Sequence, residues 1–134
     1  MTGETDLATL LQTLAPELAG AEYVFCTFEG AKYGDHLHLE PIAAMLETEG
    51  LTLVVPRTRA DAANLPYSTT YRCITLNVHS SLDAVGLTAA FATKLTDKGI
   101  SANVWAGYFH DHLFVNARDA ERALDALREL SSDG

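Results

Sequence analysis

The stretch AGYFHDHLFV, residues 106–115, sets two histidines around an aspartate, His110-Asp111-His112. Residues two apart on a strand point to one face, so these two imidazoles could share a metal ion. Such a site usually takes three or four ligands, and a hairpin tip offers only these two rings and Asp111. A second H-x-H, His36 and His38 in DHLHLEP, falls at 35–41, and no pattern in the sequence brings the two pairs together. Asp is a good turn residue and hairpin tips are polar, so the expected role is a turn centred on His110-Asp111. Contact with a ligand or partner is the alternative, and no metal or cofactor is assigned.

The second stretch with chemistry is NVHSSLDAVGL, residues 77–87. A strand there runs through a polar loop into a helix beginning near Val85-Gly86. Unpaired N–H groups at a helix start favour a carboxylate. Asp83 or Asn77 would take an ammonium, and Gly86 would let a ligand approach the backbone, which together suit a small zwitterion. The alternative is an ordinary strand-to-helix turn with Ser81 or Asp83 as N-cap. His79-Ser80-Ser81 also invites comparison with phosphoesterases that use two H-x-Ser/Thr motifs in a duplicated fold. The first half offers only HLHL in return, and neither a nucleophile–base pair nor a phosphate-cradling glycine loop is present. No enzymatic activity is expected.

Those residues need elements to hold them. Asp6 precedes Leu7, Leu10, Leu11 and Leu14, a capped helix that Pro16 stops. EYVFCTF (22–28) reads as a strand, EGAKYGD (29–35) as a loop and LEPIAAMLETEG (39–50) as a helix with Pro41 in its first turn. LTLVVP (51–56) is a strand and RADAANL (59–65) a short helix. The second half follows as strand 70–78, helix 85–98, strands 100–109 and 112–116, and a final amphipathic helix 118–130. In strand 70–78, Ile74, Leu76 and Val78 face one way and Cys73, Thr75 and Asn77 the other. Alternation places Trp105 on the face opposite Val104, where another copy or chain would pack.

The second half is thus β-α-β-β-α, a ferredoxin-like α+β unit: an antiparallel sheet with its helices on one face, lacking a final strand. The first half reads as a degraded copy. LVVPRTRADAANL (53–65) lines up without gaps on the first thirteen residues of LFVNARDAERALDAL (113–127), and this copy is expected to have lost one strand. The division expected is 1–65 and 66–134, the two halves sharing one sheet or core.

Composition narrows the partners. In 134 residues with 48% apolar content, 18 acidic residues stand against 9 basic ones, for a net charge of −9. A core is affordable. Phosphate backbones and anionic membranes would repel such a surface, and no basic stripe exists, so neither nucleic acid nor membrane is expected. No apolar run approaches a membrane span, and the opening MTGETDLATL lacks the order of a secretory signal. Cys26 and Cys73 are the only cysteines, both in apolar strand-like runs. Two free thiols fit a reducing cytoplasm.

Residues PYSTTYRCITLNVHSSLDAVGLTAAFATKL, followed by GISANVWAGYFHDHLFV, resemble the small bacterial tandem ACT-domain proteins, over residues 6 to 130. The likeness is most specific in TLNVHSSLDAVGLTA and AGYFHDHLFV. It implies βαββαβ units in tandem, the first copy degraded, pairing side by side. It also implies a non-catalytic, stand-alone sensor binding an amino acid or another small effector where units meet. Backbone groups after the first strand would hold that effector. The ligand-binding residues so implied are Asn77, His79, Ser80, Ser81, Leu82, Asp83, Val85 and Gly86, with Asn103 from a neighbouring strand. A homodimer is expected. A protein-interaction module without an effector is the competing reading.

Overall fold

The computed structural model describes residues 6–78 and 85–133, the side chains of 132 and 133 excepted. The chain forms two compact units, one from 1–19 and 72–134, the other from 20–71. The second is therefore inserted in the first. The long strand β1, Pro16–Phe28, starts in unit 1 and continues into unit 2.

Unit 2 contains the later part of β1, then β2 (Ala43–Glu47), β3 (Gly50–Pro56) and the helix α2 (Arg57–Ala62). Its strand order is β2-β3-β1, antiparallel. The register sets Val24 opposite Val55, Cys26 opposite Leu53 and Phe28 opposite Leu51. With the period of two along a strand, these residues share one face. They pack there with Leu39 and Ala60 as the unit's core.

Unit 1 contains helix α1 (Leu7–Gln12), the first residues of β1, then β4 (Tyr71–Leu76), whose first residue lies in unit 2, α3 (Leu87–Asp97), β5 (Ala102–Ala106), β6 (Asp111–Asn116) and α4 (Ala120–Asp133). Its strand order is β1-β4-β6-β5. Ile74, Leu76, Leu113 and Val115 point from the sheet into a core completed by Leu10, Phe91, Leu95, Leu124 and Leu127 from the three helices. Asp6 starts α1 as expected: its carboxylate accepts from the Thr9 amide at 3.2 Å. The alternation expected in β4 is present, with Ile74 and Leu76 fully buried on the helical face.

Two expectations are corrected. The helix expected over 39–50 does not form. Residues Leu37–Leu39 make a single 3-10 turn, and Ala43–Glu47 is a strand on the edge of β3. Glu40, directly before Pro41, is left-handed at φ 54°, so the segment cannot start a helix there. β3 would otherwise present a row of unpaired backbone groups, and that need outweighs local helix propensity. The first copy therefore kept its strand and lost its helix. The final strand missing from the second half is supplied by the start of β1. The Asn77 amide donates to the Ala15 carbonyl at 3.2 Å, and the Val78 amide donates to Leu14 at 3.4 Å. The ferredoxin-like sheet is complete, with its last strand taken from the front of the chain.

The internal repeat is visible at matching junctions. Leu53-Val54-Val55 and Leu113-Phe114-Val115 are buried strands running directly into helical turns, and Ala60 and Ala120 are both buried at the equivalent place. Both alanines are closed off from solvent by their neighbours. Replacing either Ala60 or Ala120 by leucine is expected to cost about 1–3 kcal/mol through overpacking, read as a lower urea midpoint at an unchanged slope.

Candidate functional site

The candidate site lies in unit 1 where β4 ends. Asn77 and Val78 leave the strand, and the chain returns at Val85 and Gly86 to begin α3. The predicted ligand residues His79, Ser80, Ser81, Leu82 and Asp83 lie outside the described residues. Val85 is 85% exposed. Gly86 occupies the N-cap of α3 at φ 94°, ψ −13°, with no side-chain cap on the first turn. A Cβ at Gly86 would lie 3.3 Å from Leu7 Cδ2. The glycine is thus required by the backbone and by α1, apart from any access it gives a ligand.

Asn77 is heavily engaged. Its Nδ2 donates to the Ala15 carbonyl at 3.1 Å and to Glu17 Oε2 at 3.0 Å. Its amide hydrogens therefore hold the entry to β1, and Oδ1 has no partner among the described residues. Ala15 itself is left-handed, at φ 45°. Glu17 was not anticipated: it lies 60 residues from Asn77, and no local pattern marks it. Asn103 is not brought to this place. It is on the edge strand β5, separated from β4 by β6, and its Nδ2 donates to the Phe114 carbonyl at 3.5 Å.

The HDH stretch borders the site, and its turn differs from expectation. The tip is 107–110, closed by the Gly107 amide donating to the His110 carbonyl at 2.9 Å. Asp111 and His112 are already in β6, opposite Ala106 and Trp105. Gly107 explains the shift, since a Cβ there would meet the His110 carbonyl oxygen at 2.9 Å and the His112 ring at 3.3 Å. Tyr108 and Phe109 are exposed at the tip, edge to face. Trp105 is half-buried, while Val104 on the same edge strand is 38% exposed.

The two histidines make separate bonds. His110 Nδ1 lies 3.2 Å from the Val78 carbonyl, and His112 Nδ1 lies 3.0 Å from Thr75 Oγ1. A carbonyl only accepts, so His110 donates to it from Nδ1. Burial pushes the His112 pKa below its ordinary value, with repulsion from His110 adding to it and Asp111 opposing it. Burial raises the Asp111 carboxyl, and the two histidines partly offset that. Among the described residues no three His, Cys, Asp or Glu side chains converge on a point that would hold a metal.

In unit 2 the other H-x-H falls on the 3-10 turn, His36 at its N-cap and His38 within it. The His36 ring stacks on Phe28 at 4.0 Å, and His38 borders a hollow of about 260 Å³ with Leu39, Arg59, Ala62 and Ala63. Arg59 is bound there to Glu40 at 2.7 Å.

Two ACT-domain family models match the chain, one over residues 2–72 and one over 68–129. No curated protein matches. A solved protein of unknown function from Vibrio cholerae, described as a possible transport protein, has 56% identity and a TM-score of 0.85, covering 93% of this chain and 95% of that one. An Agrobacterium tumefaciens protein has 16% identity and a TM-score of 0.67, covering 87% of each chain. The ligand-free regulatory subunit of aspartate kinase from Thermus thermophilus has 10% identity and a TM-score of 0.58, covering 86% of this chain and 95% of that one. The last two are likenesses of fold. Among the described residues no helix is long and apolar enough to cross a membrane.

Two predictions follow from this geometry. Gly86→Ala should lose about 1–3 kcal/mol to backbone strain, and Gly86→Asn less, since asparagine tolerates the left-handed region; urea unfolding checks both. His112 is held below its ordinary 6.5, so the folded chain binds fewer protons than the unfolded one as pH falls through that value. Its contribution to stability is therefore full above that value and declines below it. The drop in unfolding free energy between pH 7.5 and 5.5 should be smaller in His112→Gln than in wild type.

Proposed function

Since the chain belongs to the ACT-domain family, we propose that it is a non-catalytic regulatory module that binds a small effector, an amino acid, in unit 1. The observation that carries this reading is the chemistry at the end of β4. Asn77 and Glu17 meet on the β1 side of the strand exit, His110 reaches the Val78 carbonyl from the β6 side, and the first turn of α3 begins at Gly86 without a side-chain cap. Acceptors suit an ammonium, and helix-start amides suit a carboxylate. A ligand carrying both groups meets both halves of the site. His79, Ser80, Ser81, Leu82 and Asp83 complete it on this reading, together with Val85.

Two further points belong to the proposal. The protein works as a homodimer, in which Asn103 reaches the site from a second copy. It also works in a reducing cytoplasm. Burial raises both the Cys26 and Cys73 thiols, which disfavours the reactive thiolate and suits unmodified core cysteines. The regulatory subunit of aspartate kinase supports the fold of such a module, and its effector is not carried over.

One observation favours the second reading, a protein-interaction module. Tyr33, Leu37, Ile42, Met45 and Leu46 are exposed within one stretch of unit 2. Exposed apolar side chains this dense along one stretch suit a surface that binds another chain.

The deciding experiment is a thermal-shift screen against the twenty protein amino acids, with and without EDTA. A ligand at about 100 times its dissociation constant adds roughly 2.7 kcal/mol, several degrees in a chain of this size. The expected outcome is a rise in midpoint with one amino acid or one chemical class, unaffected by EDTA. No rise with any of the twenty would sink the effector reading.

A further inference from the structure

We infer that Tyr33 closes the open edge of unit 2, so that no further strand is added beside β2. β2 is the last strand of its sheet and is bonded to β3 on one side only. Backbone groups of an antiparallel strand alternate in direction, so every second residue of β2 turns its N–H and C=O away from β3. Leu46 is one of these, and its N–H donates to the Tyr33 hydroxyl at 2.8 Å. An added strand would lie about 4.8 Å from β2 and set a carbonyl oxygen about 2.9 Å from that nitrogen. The phenol oxygen already occupies that place. Unit 2 has reason to close this edge. β2 reads AAMLE, with its one charge at the end, and Leu37, Ile42, Met45 and Leu46 are exposed around it. Apolar edges with few charges and unpaired backbone recruit other chains.

The segment between β1 and β2 is built to present this side chain. Tyr33 is the second residue of a turn over Lys32–Asp35 that is closed twice. The Asp35 N–H donates to the Lys32 carbonyl at 3.0 Å, and the Lys32 N–H donates to Asp35 Oδ2 at 3.0 Å. Gly34, the third residue, stands at φ 97°, the conformation a type II turn needs there and glycine adopts without strain. The turn is tied to the end of β1 from both sides. Before it, the Ala31 N–H donates to the Phe28 carbonyl at 3.3 Å; after it, the His36 ring stacks on Phe28 at 4.0 Å. A tyrosine on a free loop would give up its bond to water readily. On a braced turn it has little backbone freedom left to lose, so the bond to Leu46 persists. A partner of the exposed side chains in this stretch therefore docks on them without extending the sheet.

The test compares self-association of the full chain with that of Tyr33→Phe and Tyr33→Ala by sedimentation velocity over a range of concentrations, with urea midpoints as the check on folding. Tyr33→Ala should associate about tenfold or more tightly than the wild type, and Tyr33→Phe should move in the same direction. Leu46→Pro removes the N–H that Tyr33 covers, at a position where β3 does not use it. Added to Tyr33→Ala, it should return association to the wild-type value. Leu46→Ala shortens the same side chain but keeps the N–H, and should not. Unchanged association in both Tyr33 variants would overturn the inference. Association that Leu46→Pro and Leu46→Ala abolish alike would place it on the apolar side chain, and association that neither abolishes would place it elsewhere; each overturns the closed edge. Should Tyr33→Ala fail to fold, hydrogen exchange at the Leu46 amide in Tyr33→Phe decides: faster exchange than in the wild type is expected, and an equal rate would show that the hydroxyl holds nothing there.

Discussion

Unit 1 depends on the bonds that lay residues 14–19 along β4. Without them its sheet ends at β4 with an unpaired edge, and α1 has no reason to lie on α3 and α4. The bonds are non-local. The chain leaves unit 1 after Ala19 and returns at Arg72, yet the Arg72 guanidinium donates to the Ala19 carbonyl at 2.8 Å. The inserted unit thus starts and finishes within hydrogen-bond reach. Loop closure costs only about 0.6 kcal/mol more for each doubling of length, so an insert of this size is tolerated once its ends are fixed. The same pairing raises contact order, which slows folding.

How much of this was legible follows from how local each cause is. The cap at Asp6, the alternation of β4 and the amphipathic helices are short-range, and the sequence states them directly. The matching of Leu53–Val55 with Leu113–Val115 was legible because both segments are strands buried on two faces that lead into a helical turn over an alanine. Residues 39–50 were misread because every local signal, Pro41 in a first turn, a run of good helix formers and Gly50 as a stop, agreed on a helix. The open edge of β3 outweighed them all, and that edge appears only once β1 and β3 are paired. The HDH tip failed over a smaller matter: Gly107, not the polar residues, decides where the chain turns.

The site divides the same way. Asn77 and Gly86 could be chosen from the strand-loop-helix order alone. Their surroundings could not. Leu7, Ala15 and Glu17 reach them because the front of the chain is the last strand of the unit. Asn77 shows the consequence: a side chain selected as a ligand contact proves to spend its donors on the scaffold.

Residues 14–17 close the sheet and also carry the Glu17 carboxylate that Asn77 orients, and Ala15 between them is held in a left-handed conformation that disfavours most residues but glycine. β1 carries residues 14–17 directly into the inserted unit, so the strand that completes the sheet of unit 1 is also the first strand of unit 2.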